Sequence, residues 1–208
     1  MLQVRNCEMK NINWIGIITD DLSQYQKGTM SPKAVKVKMP KTTKEIIYKA
    51  LPFAIPSFVV IFLSVFIKTY VHKQVIVHPI FTLAGLFIGF AGVLLHELLH
   101  ALVYPKEASI YIGIYPKSFA AVALVSYPIK KGRFILMSLL PVSLGIVPML
   151  LFWLVPIDYI VMNSLLFGSS IMGLISPYPD FYHIYQVIRQ MPNGCKIQFL
   201  GDEMYWIK

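Results

Sequence analysis

Four long stretches with very few charged residues set the strongest limit on how this chain folds. They cover residues 50–67, 80–104, 134–155 and 159–178. A helix needs about 20 apolar residues to cross the hydrocarbon core of a bilayer, because each residue advances it by about 1.5 Å. With 56% hydrophobic and 14% charged residues, the chain is too apolar for an ordinary soluble domain. We therefore predict a mainly α membrane protein, a bundle of about four transmembrane helices. Gly85 and Gly89 offer a face on the second span that another helix can approach closely.

The segments outside these stretches have the pattern of soluble or interfacial β structure. Residues 1–49 hold nine of the nineteen basic residues and include an alternating run at 35–38. Residues 109–115 alternate in side-chain type and residues 119–127 form another β-prone run, which predicts a small β-hairpin over 109–127 in the cytoplasmic loop between the second and third spans. The tail, residues 191–208, has a similar β-prone pattern. The predicted organisation is an N-terminal segment 1–49, a transmembrane core 50–190 and a cytoplasmic tail.

Basic residues are distributed unevenly between the two ends of the predicted spans. If both termini lie inside, cytoplasmic segments hold seventeen of the nineteen basic residues and external segments hold two. Cytoplasmic loops of membrane proteins are enriched in Lys and Arg. The count therefore predicts a multi-pass protein of the cell membrane with both termini in the cytoplasm. The net charge of +9 then suits the anionic lipids of the bilayer, and nucleic acid is not an expected partner.

The second predicted span carries the most specific chemical motif, H-E-x-x-H at residues 96–100. On an α-helix, residues four apart share one face, so His96 and His100 can bind a single Zn²⁺ while Glu97 lies beside them as a general base. His96 lies roughly 24 Å along the span from Ile80, inside a hydrocarbon core about 30 Å thick. Ionisable side chains at that depth are costly unless they are paired or bind a metal, so we predict a zinc site. A hydrogen-bonded cluster that only stabilises the bundle is the alternative.

A catalytic zinc site also needs a third protein ligand and an open position. Asp180 follows the fourth span at nearly the same predicted depth as the 96–100 motif, after a proline break that can turn its carboxylate inward. We predict it as the third ligand, with His183, one turn later, as an alternative ligand or a supporting partner. Asp180 also fits the cap of a short helix over residues 181–190. Asp158 is expected at the opposite membrane face. Three other acidic residues are expected outside the membrane: Glu107, Asp202 and Glu203.

The order of these features resembles a known type of protein. An H-E-x-x-H motif near the inner end of a span, a β-rich loop and a proline-interrupted span ending in PYPD at residues 177–180 are similar to intramembrane metalloproteases of the site-2 protease type. From about residue 50 onward, the length and order of parts more closely resemble the small bacterial membrane family described as putative zincin peptidases. The resemblance implies a helical bundle around a zinc site open toward the cytoplasm. In this reading His96, His100 and Asp180 hold zinc, and Glu97 is the catalytic base.

By this resemblance, the expected function is hydrolysis of peptide bonds in membrane or membrane-proximal substrates. The hairpin strand at residues 110–114 is a candidate surface to which an extended peptide adds as a further strand. The alternative is a membrane scaffold that binds metal and a partner without cutting it, although such a site has no need of Glu97. A transporter is a weaker alternative, because the predicted spans contain no ionisable residues besides the motif and Asp180. The sequence specifies neither the substrate nor the oligomeric state.

Overall fold

A computed structural model describes residues 11–18, 25, 28–115, 120–201 and 203–208. Four of its helical regions are long and apolar enough to cross a membrane. These regions are Lys44–His72, Pro79–Val103, Lys131–Leu154 and Ile160–Gln190. The prediction of a mainly helical chain with four such regions and small sheets is therefore confirmed.

Eight α-helices among the described residues build these four regions. They are α1 (Thr43–Ala50), α2 (Ile55–His72), α3 (Pro79–Ala91), α4 (Val93–Val103), α5 (Lys131–Leu139), α6 (Ser143–Leu154), α7 (Ile160–Ile175) and α8 (Tyr178–Gln190). Short 3₁₀ turns at Leu51–Ala54 and Leu140–Val142 join α1 to α2 and α5 to α6. Each turn has a proline near its start, where a missing N–H removes no helical hydrogen bond.

The second region is divided at Gly92, whereas the sequence predicts one helix over residues 80–104. Gly92 has φ −67° and ψ −4°, and its N–H bonds the carbonyls of Ile88 and Gly89. Glycine is a weak helix former because its backbone loses more conformational freedom on folding than that of other residues, so a break here costs little. The H-E-x-x-H motif consequently lies on a separate short helix, α4, that begins three residues before His96.

The fourth region is interrupted near the end of the predicted span 159–178, at the predicted proline break. Helix α7 ends at Ile175, and α8 already begins at Tyr178. The N-cap of α8 is Pro177, so Asp180 lies within the first helical turn. The alternative interpretation of Asp180 as the cap of a helix over residues 181–190 was therefore wrong.

The first region extends beyond its predicted end at residue 67 and buries Lys68. The Lys68 ammonium donates hydrogen bonds to the Phe152 carbonyl, to the Val155 carbonyl at 2.9 Å and to Asn163 Oδ1 at 2.7 Å. Three acceptors match its three protons, and two of them lie at the C-terminal end of α6, where a positive charge is favourable. The first helical region thus includes a buried lysine that lies just outside its predicted span, and the donors of this lysine are satisfied by neutral groups.

Helix α7 is the centre of the bundle and packs against α2, α3 and α6. Small residues permit this close approach. A Cβ at Gly168 would lie 2.1 Å from the Thr82 carbonyl oxygen, and one at Gly85 would lie 2.4 Å from the Leu165 carbonyl oxygen. The Ser169 hydroxyl also donates to the Gly85 carbonyl at 3.0 Å. The predicted contact face on the second span is therefore used by α7 of the same chain.

The described residues form two small sheets, and the first has the strand order β1-β3-β4. Its strands are β1 (Ile12–Ile17), β3 (Ile110–Tyr115) and β4 (Ala120–Leu124). Strands β3 and β4 form the predicted antiparallel hairpin, and β1 from the N-terminal segment pairs with β3 in parallel. The hairpin connection, residues 116–119, lies outside the described residues. Because β3 is paired on both sides, the expectation that a peptide adds to residues 110–114 was wrong; among the described strands of this sheet, β4 has an unpaired edge.

The second sheet joins the two ends of the chain in the order β2-β7-β6-β5, with all pairs antiparallel. Its strands are β2 (Val35–Lys36), β5 (Ile129–Lys130), β6 (Lys196–Leu200) and β7 (Glu203–Ile207). A hydrogen-bonded ion pair between Lys36 and Glu203 links β2 to β7. Buried residues from both sheets and from α4, α5 and α8 form one core, which fixes these helices relative to each other.

Candidate metal centre

The two motif histidines lie together on α4, as the helical spacing predicts. Their Nε2 atoms are 3.0 Å apart, and the side chains are only 12% and 11% exposed. The opposite face of α4 exposes large apolar residues, among them Leu94, Leu95 and Leu98. The helix therefore separates an apolar outer face from an inner face that carries the polar motif.

Asp180 reaches both histidines from the first turn of α8. Its Oδ2 lies 3.3 Å from His96 Nε2, and its Oδ1 lies 3.6 Å from His100 Nε2. A carboxylate in the first turn of a helix is favoured by the unpaired N–H groups and the positive end of the helix dipole. The break between α7 and α8 thus brings an acidic side chain to the same place as the H-E-x-x-H motif.

The ring of His100 is held by a second contact from α5. Its Nδ1 lies 3.0 Å from the backbone carbonyl of Met137. A carbonyl only accepts hydrogen bonds, so Nδ1 carries the proton and donates it, and the neutral ring keeps its lone pair on Nε2. That lone pair faces the group formed by His96 and Asp180. This is the arrangement in which a histidine serves as a metal ligand.

Glu97 lies at the edge of this group and is 14% exposed. Its Oε1 is 4.0 Å from His96 Nε2, farther than either Asp180 oxygen lies from the histidine it faces. Helix α4 packs against β4, and the Glu97 carboxylate interacts with the backbone N–H of Ala123 on that strand. Glu97 therefore lies between the histidines and the unpaired edge of β4.

The donor set fits a zinc ion. One ligand atom each from His96, Glu97 and His100 lie within 4.8 Å of one another, which is compatible with a shared metal. Tetrahedral zinc with ligands at about 2.0–2.1 Å places neighbouring ligand atoms about 3.3 Å apart. The three distances among the two Nε2 atoms and the Asp180 oxygens, 3.0, 3.3 and 3.6 Å, lie close to that value. Two nitrogens and one carboxylate also match the ligand types that catalytic zinc prefers.

Of the other candidate ligands, His183 lies near the group, and the acidic ones that the structure describes lie elsewhere. His183 is partly buried one turn after Asp180 and interacts electrostatically with Asp180 and His100. Asp158 and Glu107 are exposed, Asp158 in the loop before α7 and Glu107 in the loop before β3. Glu203 is paired with Lys36, whose hydrogen bond holds the pKa of the Glu203 carboxyl below its usual value. Asp202 lies outside the described residues.

Two contributors to the site were not predicted, the Met137 carbonyl and the Ala123 amide. Both are backbone groups, which every residue carries, so no pattern of side chains reveals them. The sequence offered one indirect indication of the Ala123 contact. The β-prone run at 120–124 follows the motif closely enough in the chain to fold back against it.

Comparison with known families is consistent with this arrangement. A family model described as putative zincin peptidase matches residues 87–196, more than half of the chain. The match contains the 96–100 motif, the β3–β4 hairpin and Asp180. Comparison with curated proteins gave no significant match, and comparison with solved structures gave none either.

Proposed function

This chain belongs to the putative zincin peptidase family, and from that premise we propose that it is a membrane-embedded zinc metallopeptidase. The observation that carries the proposal is the convergence of His96, His100 and Asp180 beside Glu97. In the proposed site the first three residues hold Zn²⁺ and Glu97 is the catalytic residue. A similarity in mechanism to site-2 proteases belongs to the same proposal.

The chemistry follows from the position of each side chain. Bound zinc would supply a Lewis acid that makes water a better nucleophile near neutral pH and polarises the substrate carbonyl. Glu97 accepts one proton from the attacking water, whose oxygen bonds to the carbonyl carbon. Glu97 then returns that proton to the amide nitrogen as the carbon–nitrogen bond breaks, leaving a carboxylic acid and an amine. The Met137 carbonyl keeps the His100 imidazole in position throughout.

We propose that the bundle lies in the cell membrane with both termini in the cytoplasm. Large apolar side chains are exposed on the outer faces of the helices, such as Phe87 at 66% and Leu154 at 78%, and a bilayer would cover them. The basic residues flank the ends of the bundle that would face the cytoplasm. In this orientation the motif lies near the cytoplasmic side of the bilayer, and the substrate is a membrane protein or a membrane-proximal peptide.

The unpaired edge of β4 is the proposed binding surface for that substrate. An extended peptide can add to an open strand edge through backbone hydrogen bonds, and a helical substrate must unwind before its carbonyl can be attacked. The β4 sequence, AAVAL, has mostly small side chains, so a peptide backbone can approach it closely. Because Ala123 on this strand interacts with Glu97, a peptide lying here would pass beside the catalytic carboxylate.

The decisive test compares the purified wild type with Glu97→Gln. We expect both proteins to bind one zinc ion per chain, while the variant loses peptide cleavage by about 10²–10⁴-fold, the usual contribution of a general base. Glu107→Gln, in the exposed loop before β3, is the matched control and should retain the wild-type rate. Full cleavage by Glu97→Gln would exclude the proposed mechanism, and biological activity without cleavage would favour a metal-binding scaffold.

A further inference from the structure

His183 is the one imidazole near the proposed centre that the mechanism above does not use. It lies one turn after Asp180 on α8, where residues three apart share a face. It is partly buried and close enough to Asp180 and His100 to interact electrostatically with both. The side chain therefore belongs to the same group of polar residues.

Among the described residues, none makes a hydrogen bond with the His183 ring. A polar group withdrawn from water without a partner costs free energy, so such groups in native proteins call for an explanation. The adjacent Tyr182, by contrast, has a hydrogen-bond partner. Its ring packs on Phe53, and its hydroxyl accepts a hydrogen bond from Gln186 at 2.7 Å. His183 thus retains a free N–H donor beside the proposed site.

The proposed reaction needs such a donor. When water adds to a peptide carbonyl, negative charge builds on the carbonyl oxygen, and enzymes stabilise it with donors that are already in position. The carboxylates of Glu97 and Asp180 cannot donate. The Nε2 atoms of His96 and His100 are directed at each other and at Asp180, where they would hold the metal. Among the described side chains of the group, the donor that remains is the His183 ring.

We propose that His183 is a second catalytic residue, which donates a hydrogen bond from its ring N–H to the carbonyl oxygen of the scissile peptide bond as charge develops there. This inference rests on the proposed peptidase function and extends it. A neutral imidazole is sufficient for the role, because one of its two nitrogens always carries a proton. The proton stays on His183, and the proton transfers remain with Glu97.

The test uses the purified full chain loaded with zinc, as wild type, His183→Phe and His183→Ala, because neither replacement side chain can donate a hydrogen bond. His72→Phe is the matched control, because His72 is the exposed last residue of α2. Three quantities are measured for each protein: zinc bound per chain, affinity for phosphoryl-leucyl-tryptophan, and kcat and KM on dye-labelled β-casein. The tetrahedral phosphoryl group of that dipeptide imitates the charge of the addition intermediate.

We expect wild-type zinc content in both His183 variants, at least about tenfold weaker binding of the phosphoryl dipeptide, and a kcat about 100-fold lower with KM unchanged. The control variant should match the wild type in all three measurements. A purely structural role would not lower kcat and the affinity for the dipeptide while leaving zinc and KM unchanged. Should one variant unfold, the other decides.

Three results would overturn the inference. Loss of zinc from both His183 variants would make the residue a ligand, equal affinity of the wild type and the variants for the phosphoryl dipeptide would show that His183 donates nothing to it, and a wild-type kcat in both variants would show that the reaction does not use this donor. The proposed function fails separately, when the wild type and Glu97→Gln show the same rate on β-casein. If the wild type binds the dipeptide without cutting β-casein, the affinity comparison still decides the role of His183.

Discussion

The Nε2 atom of His96 lies 3.3 Å from Oδ2 of Asp180, although the two residues belong to different helical regions. This contact joins the H-E-x-x-H helix to the helix that follows the break after α7. It brings a carboxylate to two imidazoles in a setting that is mostly withdrawn from solvent. The contact therefore determines which residue is the third candidate ligand.

Replacing Asp180 with asparagine should weaken zinc binding more than about 100-fold, which exceeds the usual loss for a residue that only supports a ligand. The amide keeps the shape of the side chain but removes the charge that faces both histidines. Affinity can be measured by competition with a chelator of known strength. Asp158→Asn, in an exposed loop, is the control and should bind zinc like the wild type. Equal affinity in Asp180→Asn would assign the third ligand to another residue, such as His183.

Replacing Lys68 with methionine should destabilise the bundle by at least about 1.5–3 kcal/mol, the value of one hydrogen bond to a charged group. The substitution removes the donor that two backbone carbonyls and the Asn163 Oδ1 share. It also removes a cation that lies 4.4 Å from the centre of the Phe152 ring. Thermal unfolding in detergent measures the change. Lys73→Met, at an exposed position five residues later, should have little effect. Similar melting temperatures for the two variants would show that the Lys68 contacts do not stabilise the bundle.

Replacing Gly168 with valine should separate α3 from α7, because the first added carbon would already lie 2.1 Å from the Thr82 carbonyl oxygen. Neither backbone can yield without shifting a whole helix. We expect a loss of about 1–3 kcal/mol or more, the usual range for overpacking, and it should be visible in thermal unfolding. Gly132→Ala is the control, since a Cβ there meets no atom within 4 Å. An unchanged melting temperature for Gly168→Val would contradict the packing described for these helices.

Acid should release β2 from β7 through the Lys36–Glu203 pair. The hydrogen bond from Lys36 lowers the pKa of the Glu203 carboxyl and raises that of Lys36. A carboxyl whose pKa is lower in the folded than in the unfolded chain stabilises the fold above its unfolded pKa, about 4.3, and loses that contribution as pH falls through the folded pKa. The pair should thus hold β2 at neutral pH and release it in acid.

Hydrogen exchange at the Val37 amide, which donates to the Met204 carbonyl at 2.9 Å, reports this release. Exchange should accelerate beyond its intrinsic pH dependence as Glu203 becomes protonated. Glu203→Gln should already show the faster exchange at neutral pH. If the wild type and the variant exchange alike at every pH, the ion pair does not hold β2.

Local patterns predicted the parts of this protein that depend on nearby residues. Long apolar runs predicted the four helical regions, and alternation predicted the β3–β4 hairpin and the β structure of the tail. The spacing within H-E-x-x-H predicted that His96 and His100 share a face, because that geometry is fixed by the helix itself. The metal and catalytic roles of these residues remain predictions.

Features that depend on distant partners were missed or misplaced. The sequence predicts that the first span ends before Lys68. The neutral acceptors that let the helix continue and bury this lysine come from α6, its C-cap and α7, so no residue near Lys68 reveals them. The sequence predicts that β3 is open to a substrate. Its parallel partner β1 lies far away in the chain, so no local pattern links the two strands. When the partner of a charged group or a strand edge lies in another element, the local sequence does not identify that partner.

The amino-acid order alone determined that the chain forms apolar helices and that two imidazoles and a carboxylate lie together on one of them, since both depend on contacts within a few residues. Only the tertiary structure decided that Asp180 meets those imidazoles, that Met137 orients His100, and that the open edge of β4 lies beside Glu97. These contacts arise from the packing of α4 against α5 and β4 and from the break before α8. Packing of this kind depends on the shapes of many side chains at once, and no single segment encodes it.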